Sequence, residues 1–123
     1  MPRALVVDDD DSIREITQIA LEVVAGWEVV TAASGASAIE LAAEHQPDVV
    51  VLDLMMPDMD GLATFGHLRA QASTAHIPVV LLTAKVQVGD RQLWDEMAVA
   101  GVISKPFDPM TLADQITTML ERG

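Results

Sequence analysis

Cysteine is absent from this chain of 123 residues. Without thiols it has no disulfide and no thiolate-bound metal, which suits a reducing compartment. Basic residues are scarce: 7 Lys+Arg stand against 19 Asp+Glu, for a net charge of -12. So negative a surface repels nucleic-acid phosphates and anionic lipid, which argues against direct DNA binding and against a membrane partner. No apolar run approaches the ~18 residues that span a bilayer. The start, Met1-Pro2-Arg3, leads through a short apolar run into four aspartates rather than into a signal peptide. Repeats, low-complexity stretches and linkers are also missing. Half the residues are hydrophobic, ample for one core. The expectation is a single cytoplasmic domain over residues 1–123, close to the commonest domain size, with no output domain visible after the last helix.

What is present is organised around Val49 to Gly61. The apolar run Val49 to Leu52 reads as a strand buried on both faces, the habit of a parallel sheet. It arrives at Asp53. An ionised carboxylate is costly in an apolar interior, so Asp53 is expected at the strand's end, where the sheet opens to water and where α/β sheets bind ligands.

The rest of the chain alternates in the same way. Arg3 to Val7 is a short strand ended by Asp8, Asp9, Asp10 and Asp11. Ser12 and Glu15 have capping-box spacing, and Ile13, Ile16, Ile19, Ala20, Val23 and Val24 predict the buried stripe of a helix over roughly 12–25, stopped by Gly26. A strand over 27–31 leads to a helix opened by Ser34 and Gly35, with Ala38, Ile39, Leu41 and Ala42 inward. Asp60 and Gly61 begin another, carrying Leu62, Phe65, Leu68 and Ala72 on one face. Strands follow over 77–83 and 101–104, with an irregular helix over roughly 88–99 between them. Asp108 and Pro109 start the final helix, with Met110, Ala113, Ile116, Thr117 and Leu120 as its stripe. Such alternation predicts an α/β fold, one parallel sheet covered on both faces.

Parallel strands place Asp8, Asp9, Asp53, Thr83 and Lys105 at one edge of that sheet. Two or three carboxylates make an oxygen-only site suited to a hard cation such as Mg²⁺, with Mn²⁺ as the alternative ion. A lysine is a compact charge for phosphate oxygens, and a threonine hydroxyl donates to the same anion. Together they suit phosphoryl transfer, in which a carboxylate can itself be the nucleophile.

Five blocks in order and spacing then identify a resemblance: Val6-Val-Asp-Asp9, Asp53-Leu-Met-Met-Pro57, Met59-Asp-Gly61, Leu82-Thr-Ala84 and Lys105-Pro-Phe107. The chain resembles a response-regulator receiver domain of two-component signalling over essentially its whole length. The resemblance implies a flavodoxin-like (βα)5 three-layer sandwich with strand order 2-1-3-4-5. It implies that Asp53 accepts a phosphoryl group from a phosphohistidine on a sensor histidine kinase or histidine phosphotransfer protein. By the same token Asp9 is a direct Mg²⁺ ligand, Asp8 a second or outer-sphere one, and the Met55 carbonyl another. Thr83 is the switch hydroxyl, Lys105 holds the phosphoryl group, and the Lys105–Pro106 bond is cis. Such a protein is no enzyme beyond its own phosphorylation and dephosphorylation. The segment over 88–99, the last strand and the final helix would form the face for a target or a homodimer, with Trp94 as an anchor or a core residue. Output would go to another protein or to an output domain outside this chain.

Two departures bear on regulation. Val102 stands where many family members carry an aromatic switch, and Met55 with Lys85 flanks the path of the hydrolytic water, so slow autodephosphorylation is expected. Blander roles suffice elsewhere: Asp10 and Asp11 cap a helix, Asp58 and Asp60 shape a turn beside Gly61, Met55, Met56 and Met59 pack, and His45, His67 and His76 lack metal-ligand spacing. Two alternatives fit less well. A phosphatase with an Asp nucleophile needs a second carboxylate at position 55, which is Met, and a cap for which there is no room. A flavin or nucleotide binder needs a Gly/Ser/Thr-rich phosphate loop where four aspartates stand.

Overall fold

The computed structural model describes residues 2–54, 61–83 and 99–122. Strands β1 (Arg3–Val7), β2 (Glu28–Ala32), β3 (Val49–Asp53), β4 (Val79–Thr83) and β5 (Gly101–Ser104) form one parallel sheet in the order β2-β1-β3-β4-β5. The α/β reading and the implied strand order both hold. β3 and β4, read from unbroken apolar runs, are buried at every position. Helices are α1 (Asp11–Ile19), running on into a π-helical turn (Ala20–Val24), then α2 (Gly35–His45), α3 (Gly61–Ala70) and α4 (Leu112–Arg122). Residues 88–98 of the helix expected over 88–99, with Trp94, lie outside the described residues, as do Met55 to Asp60, Ala84 and Lys85. No helix among the described residues is long and apolar enough to cross a membrane.

Because side chains alternate across a strand, the sheet separates two cores. Leu5, Val7, Val50, Leu52 and Leu81 pack with Ala38, Ala42, Phe65 and Leu68 of α2 and α3. On the other face Val6, Val51, Val80, Leu82 and Ile103 meet Ala20, Leu21, Leu112, Ala113 and Ile116. The result is three layers. Within the sheet Val7 pairs with Leu52, Asp53 with Leu82 and Thr83 with Ser104, so each of these strands ends within one residue of its neighbour.

Four helix readings are corrected. The cap of α1 is Asp10, not Ser12: its carboxylate accepts the amides of Ser12 at 2.9 Å and Ile13 at 3.1 Å, satisfying two donors that the helix leaves orphaned. The inward face of α1 and its π-helical turn is Thr17, Ala20 and Leu21, whereas Ile16, Ile19, Val23 and Val24 are exposed. Apolar residues occupy more of this helix than its buried arc, and Thr17 can turn inward because its hydroxyl is bonded to the Ile13 carbonyl at 2.7 Å. The buried stripe of α4 is Leu112, Ala113 and Ile116, with Met110 and Thr117 outside, since helical backbone starts only at Leu112 after a turn that Asp108 stabilises through the Met110 amide. In α3, Phe65 and Leu68 are buried as expected, but Leu62 is exposed, and Ala72 lies in the turn beyond the helix.

The approach of α3 to β3 depends on Gly61. Its amide donates to the Leu54 carbonyl at 3.0 Å. A β-carbon there would lie 2.6 Å from the Asp53 carbonyl oxygen and 2.6 Å from the Leu54 Cα, both backbone atoms that cannot move aside cheaply. Gly61→Ala is therefore expected to cost about 1–3 kcal/mol in urea unfolding. Gly66→Ala, whose β-carbon meets nothing within 4 Å, should leave stability level or raise it by up to about 1 kcal/mol.

Candidate functional site

Asp8 and Asp53 reach the same edge from adjacent strands. Asp8 follows β1, its amide still bonded to the Ala32 carbonyl at 3.1 Å, and Asp53 is the last residue of β3. The expectation that Asp53 opens to water needs correcting: it is 3% exposed, and Asp8 only 1%. Thr83, the last residue of β4, is buried beside them, while Asp9 is exposed. β5 delivers Lys105, whose amide donates to the Thr83 carbonyl at 2.8 Å. The Lys105–Pro106 bond is cis, as the resemblance implied.

One ammonium bridges the buried acids. Lys105 Nζ lies 3.1 Å from Asp8 Oδ2 and 3.2 Å from Asp53 Oδ1. The second oxygen of Asp8 accepts the Asp10 amide at 2.9 Å. Burial by itself lowers the Lys105 pKa, but the hydrogen bond and charge of Asp8, followed by the charge and hydrogen bond of Asp53, outweigh it and hold the ammonium above its ordinary value.

Asp9 completes the acidic group. Asp8, Asp9 and Asp53 each present a carboxylate oxygen, and the three lie within 4.8 Å of one another. An all-oxygen donor set with one ammonium against three carboxylates fits a hard divalent cation. No histidine joins this group among the described residues; His67 and His76 are exposed and His45 is half-buried. The Met55 carbonyl lies outside the described residues. Asp10 and Asp11 serve the helix start, one as its cap and the other paired with Arg14. Val102 is half-buried against the core on the α2–α3 face.

Two features were not anticipated from sequence. Arg14 Nη1 donates to the Asp8 carbonyl at 2.9 Å, bringing a fixed positive charge under the acidic loop; its place one turn into a helix after four aspartates was the available signal. Beside Lys105, a groove of about 480 Å³ is lined by Ile13, Ile16, Lys105, Pro106, Phe107 and Pro109. It joins the outward isoleucine of α1 to the mouth of the acidic site.

Known proteins are similar to this chain in sequence and in fold. The family model for the response regulator receiver domain matches residues 4–117. Over 122 residues the chain is 38% identical to the DNA-binding dual master transcriptional regulator RpaA of Synechocystis sp., covering 99% of this chain and 50% of that protein. It is 36% identical to the alkaline phosphatase synthesis transcriptional regulatory protein PhoP of Bacillus subtilis, covering 98% of this chain and 49% of that one. The chain thus spans about half the length of these relatives. Among solved structures, chemotaxis protein CheY4 of Vibrio cholerae superposes with a TM-score of 0.89 at 33% identity, over 97% of this chain and 98% of that one.

The lysine bridge sets a dependence on pH. Its pKa is raised in the folded chain, so its contribution is complete below the unfolded lysine value of about 10.4 and is lost as pH rises through the higher folded value. In urea titrations, Lys105→Met should be less stable than the parent at neutral pH by roughly 1.5–3 kcal/mol. From neutral pH that gap should stay flat up to about pH 10 and close above it; a gap that persists unchanged well above that range would contradict the assignment.

Proposed function

Because the chain belongs to the response regulator receiver domain family, we propose that Asp53 is the phosphoryl acceptor of this signalling switch and that residues 1–123 make up one receiver domain. The observation that carries this is the Lys105 ammonium shared between Asp53 and Asp8 at the strand ends, with Asp9 in reach. A family member is a switch rather than an enzyme acting on other molecules. The chemistry proposed is its own phosphorylation and dephosphorylation.

An oxygen of Asp53 attacks the phosphorus of a phosphohistidine. The new P–O bond forms as the P–N bond breaks, and the departing imidazole keeps the electron pair and takes up a proton. Lys105 follows the charge from the carboxylate to the phosphoryl oxygens, since its ammonium already lies against Asp53. Thr83, on the strand beside Asp53, supplies a hydroxyl to the same anion. Asp8, Asp9, Asp53 and the Met55 carbonyl would hold Mg²⁺ or Mn²⁺, whose charge, when bound, offsets that of acceptor and phosphoryl oxygens. Water later attacks the same phosphorus, releasing phosphate and restoring the carboxylate. Slow loss is the expectation for Met55 and Lys85.

The donor is a sensor histidine kinase or a histidine phosphotransfer protein, in the cytoplasm. The groove of Ile13, Ile16, Phe107 and Pro109 beside Lys105 supports its approach across α1, because it is apolar and adjoins the acceptor. The names of RpaA and PhoP support a readout in gene control through the other half of such proteins. The face of β5 and α4 is the surface proposed for a target or a second copy.

Incubation with acetyl phosphate and Mg²⁺ should add one phosphoryl group by intact mass, and Asp53→Asn should abolish the adduct; an adduct that persists there rejects Asp53. Phe107→Asp should slow transfer from a phosphohistidine donor about tenfold or more while leaving labelling by acetyl phosphate unchanged. Equal slowing by both donors would place the defect in the acceptor site rather than in docking.

A further inference from the structure

Asp9 is exposed, and its carboxylate has no protein partner among the described residues. Yet it must meet the same ion as two buried acids. Something has to aim it, and the backbone on either side shows what does. The peptide group before Asp9 contains the Asp8 carbonyl, which accepts Arg14 Nη1 at 2.9 Å. The peptide group after it contains the Asp10 amide, which donates to Asp8 Oδ1 at 2.9 Å. With both planes tied, φ and ψ of Asp9 are fixed, and only its side-chain torsions remain free.

Arg14 is built for this task. Its side chain is 20% exposed, its other terminal nitrogen pairs with the Asp11 carboxylate, and its own amide is anchored on the Asp10 carbonyl at 2.9 Å. A planar fork held at two points fixes an angle that a single flexible ammonium cannot. The loop is otherwise secured by the Asp10 cap, which does not involve Arg14.

We infer that Arg14 is a positioning residue: by holding the Asp8 carbonyl it orients Asp9 for the divalent cation. This rests on the metal reading given above. A ligand already aimed loses less freedom when the ion binds, and partners behind a ligand are typically worth 10- to 100-fold in metal affinity. Charge alone predicts the opposite sign. Removing a cation from beside three carboxylates makes the pocket more negative and would tighten binding of a divalent ion.

The sign of the effect is therefore the test. The full chain, Arg14→Ala, Arg14→Lys and Asp9→Asn are titrated with Mg²⁺ by calorimetry, with folding checked by circular dichroism. The parent should bind, Asp9→Asn should lose most of that binding, and Arg14→Ala should bind about tenfold or more weakly. Arg14→Lys should recover only part, since it keeps the charge without the fork. In metal-free protein, Arg14→Ala should also speed hydrogen exchange at the Asp10 amide. Equal or tighter Mg²⁺ binding by folded Arg14→Ala overturns the role of Arg14, while absence of binding by the parent overturns the metal reading itself. Should Arg14→Ala not fold, Arg14→Lys decides: weakened affinity supports the role, and parental affinity overturns it.

Discussion

An ammonium 3.1 Å from Asp8 and 3.2 Å from Asp53 allows two carboxylates to sit almost without water at the end of a parallel sheet. Either acid alone in that place would face a large desolvation cost. The lysine comes from β5 and the acids from β1 and β3, so the contact also joins strands that are not all neighbours. Chemistry and fold are thereby coupled: the group proposed to serve phosphoryl transfer is also the one that makes a buried Asp53 tolerable before any ligand arrives.

The layers explain why this edge can be polar at all. Side chains of β1, β3 and β4 point alternately into two apolar cores and leave no polar residue inside either sheet face. Apart from Arg3 at the start of β1, polar residues of those strands appear only where the strands stop, and the register stops each within one residue of its neighbour. Gly61 completes the arrangement by allowing α3 to begin against the end of β3, where any side chain would strike the backbone of Asp53 and Leu54.

Much of this was legible in the sequence, and for a physical reason. A buried parallel strand announces itself as an unbroken apolar run, and a carboxylate, hydroxyl or lysine at its end has few bland explanations. Asp53, Thr83 and Lys105 were read in that way. Helix faces were harder. α1 carries more apolar residues than its inward arc needs, so periodicity rightly chose Ala20 but set Ile16, Ile19 and Val23 beside it, whereas Thr17 and Leu21 go inward. Asp10 and Ser12 are both good caps, and only the backbone shows which carboxylate or hydroxyl reaches the free amides. The burial of Asp53 was missed because its partner is 52 residues away in the chain. Arg14 escaped because it acts on a carbonyl, and main-chain acceptors leave no mark on side-chain patterns.

The two adjacent aspartates differ in what constrains them. Both oxygens of Asp8 are engaged by the protein, one by the Asp10 amide and one by Lys105, whereas Asp9 spends neither among the described residues. On the metal reading proposed above, substitution at position 8 is judged by folding as well as by ligand binding, and at position 9 by the ligand alone. A lineage that ceased to need the ion would be free to drift at 9 while still keeping an acid at 8. The pattern of variation across this pair is thus a record of whether the switch is still in use.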